Sequence, residues 1–168
     1  PLAGPVVAGA VILPLNFSCP GITDSKILTP KKREHFFDYI LSNSLYSSFA
    51  LSTVEEIDEL NILKASLLSM KRAVENLGDL KSSGCSVTNH VPDYILIDGK
   101  FTIKKYFDDF NFNPVQQAVV KGDSLSISIS AASIIAKVTR DRVMQKLHLD
   151  YPEYGFDSHK GYPTKAHR

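Results

Sequence analysis

The sequence has no tryptophan, two cysteines, two methionines, and no charged residue before Asp24. Two thiols, Cys19 and Cys85, cannot form a multi-bridge framework or a zinc site of their own, and they read as reduced cytosolic cysteines. The uncharged opening, PLAGPVVAGAVILP, lacks the basic n-region of a signal peptide. As a membrane helix it is too short and is broken by Pro5 and Pro14. There is no G-x-S-x-G elbow, no phosphate-cradling G-x-x-x-x-G-K-[ST] loop and no H-E-x-x-H pair. His159 and His167 lack helical ligand spacing, and His35, His90 and His148 stand alone. Internal repeats and low-complexity tracts are also missing. With 43% hydrophobic and 22% charged residues, the 168-residue chain reads as one globular domain spanning 1–168.

What is present alternates strand and helix signals, so the fold class is α/β. VVAGAVIL is Val- and Ile-rich, as a strand buried on both faces would be, and Pro14 stops it. Thr29 and Pro30 mark the start of a first helix, with Lys31, Lys32 and Arg33 in its first turn. Cations there oppose the helix dipole, which fits either a tolerant surface or a place where an anion approaches. LYSSFALST reads as a second strand. Thr53 and Glu56 form a capping box that opens a long helix, whose apolar positions run from Ile57 to Leu77 and which Gly78 can end. DYILIDG and VQQAVVKGD are further strands, and the segment between them, 100–117, reads as a hairpin or lid. SAASIIAKVTRDRVMQKLHLDYP is a helix stopped by Pro152, with Ala131, Ala132, Ser133 and Ala136 small enough for close contact with a sheet. The stretch after it is too rich in Gly, Pro and Tyr for regular structure.

The net charge of +1 conceals two basic clusters. Residues 26–33 carry four cations and no acid; from Lys137 onward, seven Lys and Arg and three His face four acids. They fit either two solvated faces or convergence on one polyanion. Asp98 and Asp123 each follow a β-rich run at a strand end, where sites form on parallel sheets. Brought together, they would repel unless a proton or a hard cation such as Mg²⁺ lay between them. An Asp-Gly pair is equally an ordinary turn, and Asp123 equally a helix cap. Asp108 and Asp109 read as solvated, and Arg140 with Asp141 as an intrahelix surface pair.

Seven segments in order, among them PLAGPVVAGAVILP, DSKILTPKKRE, LNILKASLLSMKRAV, VVKGD and YGFDSHKGYPTKAH, resemble the type 2 ribonuclease H (ribonuclease HII) family. The resemblance implies a ribonuclease H-like mixed five-stranded sheet flanked by helices. It also implies a soluble cytoplasmic monomer that binds RNA–DNA hybrids and ribonucleotide-containing duplex DNA, with no membrane partner. Such an enzyme hydrolyses the RNA strand, or nicks at an embedded ribonucleotide, by two-metal catalysis with Mg²⁺ or Mn²⁺. The products carry 5′-phosphate and 3′-hydroxyl ends. Residue by residue, it implies that Asp98 and Asp123 are catalytic metal ligands and that Tyr162 stacks on a sugar at the RNA–DNA junction. It implies likewise that Lys26, Lys160 and Lys165 contact phosphates and that Ser25 supports the substrate loop. In the family a central strand bearing D-E-A-G-R-G precedes PLAGPVV and supplies two further carboxylates, which places both of them upstream of Pro1. The expectation is therefore that a first strand before Pro1 and a short C-terminal tail after Arg168 are trimmed, and that residues 1–168 alone are inactive. The competing reading is a nucleic-acid-binding domain of the same fold without catalysis.

Overall fold

A computed structural model describes residues 2–77, 92–110 and 112–165. Four strands and six helices are seen among them. Strand β1 (Val6–Ile12) pairs antiparallel with β2 (Tyr46–Ser52), in register from Val6↔Ser52 to Ile12↔Tyr46. Strand β3 (Tyr94–Asp98) pairs parallel with β4 (Val115–Val119), in register from Tyr94↔Val115 to Asp98↔Val119.

Local signals set most helix starts. Helix α1 (Pro30–Asn43) is capped by Thr29, whose side chain accepts from the Lys32 N–H, with Pro30 in the first turn. The Thr53–Glu56 capping box is present in both directions and opens α2 (Val54–Leu60). The helix expected to continue from there is broken. Asn61 adopts φ 70°, and its side chain accepts from the N–H groups of Leu63 and Lys64, starting α3 (Ile62–Asn76) afresh. Apolar spacing runs on across this break, so periodicity alone could not reveal it; Gly78 lies outside the described residues.

Helix α4 (Gly122–Leu125) is one turn, and α5 (Ile127–Asp150) is the longest element. Segment 100–117 is not a hairpin. It contains a 3₁₀ turn, Ile103–Lys105, whose Ile103 is fully buried while Phe101, Tyr106, Phe107, Phe110 and Phe112 pack against the core. The final stretch is more regular than its composition suggests: a 3₁₀ turn at Pro152–Tyr154 and a short helix, α6 (Phe156–His159).

Two apolar clusters hold the elements together. Ala8 and Ala10 of β1 join Leu67, Ala73 and Val74 of α3 and Ile95 and Ile97 of β3. Leu28, Phe37 and Ile40 pack on Ala131, Ile134, Ile135 and Val138 of α5. Helix α5 approaches β1 very closely at Gly9, where a Cβ would lie 2.4 Å from the carbonyl oxygen of Ala132 and 3.1 Å from the Ala136 nitrogen. The small residues of α5 make this contact possible.

The five-stranded expectation meets four described strands in two separate pairs. Among the described residues, strands β1 and β3 each have a strand partner along one edge only. A cleft of about 1030 Å³ lies between them, walled by both strands along their length, with Ser66 and Met70 of α3 and Ile129 and Ala132 of α5 completing it. The resemblance implies a central first strand between the VVAGAVIL and YILID segments, which are β1 and β3, and the cleft lies between those two. Pro1, the residue that strand was expected to precede, and Arg168 both lie outside the described residues. None of the described helices is long and apolar enough to cross a membrane.

Candidate active site

The β3–β4 pair brings the two strand-end aspartates together. Asp98 is the last residue of β3, and its Oδ1 accepts the backbone N–H of Gly122 at 2.9 Å, one residue before Asp123. The turn that carries Asp123 is built for this approach. Lys121 takes a left-handed conformation (φ 57°), and at Gly122 a Cβ would lie 2.5 Å from Ile129 Cδ1, so any larger residue would have to displace that side chain. Asp123 then sits in the first turn of α4, its carbonyl accepting the Ser130 hydroxyl of α5.

The two carboxylates differ in environment. Asp98 is exposed, whereas Asp123 retains 6% of its accessible surface. Burial, and then the charges of Asp98 and Asp24, push the Asp123 carboxyl above the usual range; Lys26 pulls the other way. Lys26 Nζ lies 3.7 Å from Asp123 Oδ2 and 4.0 Å from Asp24 Oδ1. Asp24 also accepts the Lys26 backbone N–H at 2.9 Å. Sequence reasoning missed Asp24, although it adjoins Ser25 and Lys26; its closeness to Asp123 is a tertiary fact. The two further carboxylates expected upstream of Pro1 have no counterpart among the described residues, which begin at Leu2.

Ser25 is buried and shares a 2.9 Å hydrogen bond with the hydroxyl of Ser133, which fastens the 24–26 loop to α5. Arg33, one of the first-turn cations read as either a tolerated surface or a place of anion approach, turns inward. It donates to the carbonyls of Ser25 (2.9 Å) and Leu28 (2.6 Å) and lies 3.9 Å from Asp141.

Tyr162 is 39% exposed, with Lys137 Nζ 4.9 Å and Arg140 Cζ 5.0 Å from its ring centre. Lys160 is half-buried and Lys165 exposed. His159 braces this loop: its Nδ1 accepts the Gly161 N–H at 3.1 Å while Nε2 meets the Tyr154 carbonyl at 2.6 Å. Both ring nitrogens are thus engaged within the protein. Arg140 is no surface residue, although its sequence position beside Asp141 suggests one. It is 5% exposed and donates to three backbone carbonyls.

One face of α5 carries nearly all of this. Ser130 holds Asp123, Ser133 holds Ser25, Lys137 and Arg140 underlie Tyr162, and Met144 lies beneath Gly4. Steps of three and four residues place them on one stripe.

Among the described residues, no group of three or more His, Cys, Asp and Glu side chains is arranged to hold a metal ion. Asp98 and Asp123 offer a two-carboxylate donor set with excess negative charge. Mg²⁺ fits such a set, because it characteristically binds one or two carboxylates together with substrate phosphates and water. Asp108 and Asp109 lie elsewhere; Asp109 is exposed and 3.5 Å from Lys71.

The ribonuclease HII family model matches residues 1–168. A ribonuclease HII of Desulfotalea psychrophila is 48% identical over 168 residues, covering all of this chain and 68% of the relative. The crystal structure of ribonuclease H2 from Pyrococcus horikoshii OT3 superposes with a TM-score of 0.67 at 32% identity, covering 98% of this chain and 76% of that one. A Bst ribonuclease HIII solved in complex with Mn²⁺ shares the fold, with a TM-score of 0.59 at 20% identity over 79% of this chain and 44% of its own.

Proposed function

The chain belongs to the ribonuclease HII family of endonucleases acting on RNA in RNA–DNA hybrids, and from that premise we propose that Asp98 and Asp123 are its catalytic metal ligands. The single observation that supports this reading is the 2.9 Å hydrogen bond from Gly122 N–H to Asp98 Oδ1, which ties the end of β3 to the residue directly before Asp123. Mg²⁺ or Mn²⁺ bound there, as a pair of ions, would activate water and neutralise charge on the leaving oxygen.

The protein's own groups supply the rest. The bond from Gly122 orients Asp98, while burial keeps Asp123 poorly solvated and ready for a cationic partner. Lys26 shields Asp123 and, being mostly exposed, can turn to a backbone phosphate. Lys160 and Lys165 extend the phosphate contacts, and Ser25 fixes the loop that bears Lys26. The Tyr162 ring packs on a deoxyribose, so that discrimination pairs a sensed 2′-OH on one side of the scissile bond with an apolar sugar on the other.

The cleft between β1 and β3 belongs to the same proposal: it receives an extended strand, joined ahead of Pro1, bearing the two further carboxylates. Two strand edges that have no strand partner among the described residues, about 4.8 Å from any strand laid between them, would supply the backbone hydrogen bonds it needs.

The test uses an RNA–DNA hybrid and a DNA duplex with one embedded ribonucleotide, each with Mg²⁺ and with Mn²⁺. Cleavage with 5′-phosphate ends by protein carrying an N-terminal D-E-A-G-R-G strand, and its loss in Asp98→Asn and Asp123→Asn, is the expected result. Tight hybrid binding without cleavage by that extended protein would instead make this a binding domain. Equal cleavage and equal stability with and without the added strand would refute the role given to the cleft.

A further inference from the structure

We propose that Arg140 is a positioning residue for Tyr162, clamping the loop that carries this ring to the first residues of β1's approach. This rests on the reading of Tyr162 as the sugar-stacking ring. The guanidinium donates from Nη1 to the Lys160 carbonyl at 2.6 Å, from Nη2 to the Ala3 carbonyl at 3.0 Å, and from Nε to the Pro5 carbonyl at 3.1 Å. Three carbonyls from two segments more than 150 residues apart converge on one side chain. A planar fork with fixed donor directions is what such convergence requires; an ammonium cannot reproduce it.

The loop is fastened by the same arrangement. The Gly161 carbonyl accepts from Leu2 N–H at 2.7 Å. A Cβ on Gly161 would lie 2.3 Å from the Ala3 oxygen and 3.1 Å from Arg140 Nη2, and its φ is +73°. Tyr162 follows directly, with the guanidinium carbon 5.0 Å from its ring centre. The ring therefore has a fixed seat before any substrate arrives. Arg140 has no carboxylate in salt-bridge range among the described residues, so its buried charge is met chiefly by these three carbonyls.

The test is a double-mutant cycle in the native protein, scored by kcat and KM on a duplex with one embedded ribonucleotide. Arg140→Lys should lower kcat about tenfold or more with KM little changed, as ångström-scale misplacement does. Gly161→Ala, which displaces the loop while leaving the α5 side chain intact, should do the same and serves where Arg140→Lys does not fold. In a Tyr162→Ala background both should cost less than about twofold, because a positioning residue has nothing left to position. Equal costs in both backgrounds would make Arg140 a purely structural residue and overturn the proposal, leaving Tyr162 in its role. No effect of Tyr162→Ala alone would overturn the reading of Tyr162 itself, and the proposal with it.

Discussion

Asp98 Oδ1 accepts the backbone N–H of Gly122, and this bond ties the end of β3 to the turn that presents Asp123. Asparagine at position 98 keeps an acceptor oxygen there but removes the charge. Asp98→Asn is therefore expected to fold, to bind hybrid within a few-fold of the native protein, and to lose cleavage by more than the roughly 10–100-fold typical of outer-shell partners. Cleavage at the native rate in Mg²⁺ would dismiss Asp98 as a ligand.

The same substitution should stabilise the metal-free protein. Burial and then Asp98 raise the Asp123 pKa in the fold. The folded state thus binds its proton more tightly than the unfolded chain does. Stability is lost as pH rises from the normal carboxylate value through the raised one, and the penalty is constant above it. Asp98→Asn relieves the part of that penalty that the Asp98 charge contributes. Urea unfolding in a chelator should show the gain at neutral pH and none well below the carboxylate range. A gain that persists at low pH would have another cause.

Asn61 provides a test away from the site. It combines φ 70° with a side-chain cap on Leu63 and Lys64. Asn61→Ala forfeits the cap, about 1 kcal/mol, and keeps a Cβ in a conformation, φ 70° and ψ 162°, that suits glycine. Asn61→Gly loses the cap but adopts the conformation freely, so it should cost well under half as much. Thermal unfolding of the two variants decides the matter, and an equal loss would show that conformation is irrelevant there.

These contrasts show which features a single sequence displays. Thr29, Thr53 and the strand-end aspartates were legible because a cap or a strand end is specified within a few residues of itself. The approach of α5 to β1 was legible from its small side chains, Ala132 and Ala136 against Gly9. The break at Asn61 was not, because apolar spacing continues across it. Asp24 and Arg140 were invisible for a different reason: their partners, Asp123 in one case and Ala3, Pro5 and Lys160 in the other, are remote in the chain. Arg33 differs again: two of its acceptors, the carbonyls of Ser25 and Leu28, are close in the chain, but a sequence does not show which way a first-turn side chain points.

Lys26 should separate two effects that most basic residues confound. Its ammonium sits between Asp24 and Asp123, 4.0 and 3.7 Å away, yet the side chain is largely exposed. As a phosphate contact it contributes about one unit to the slope of log affinity against log salt, as Lys165 should. As a cation beside Asp123 it also opposes any divalent ion that binds there. Lys26→Ala is expected to weaken hybrid binding and flatten its salt dependence, while binding Mn²⁺ several-fold more tightly without nucleic acid. Lys165→Ala, remote from any described carboxylate in salt-bridge range, should flatten the salt dependence alone. Calorimetric titration of Mn²⁺ into the two variants reads the difference. Identical Mn²⁺ affinities would mean that Lys26 rests beside Asp123 without competing for it.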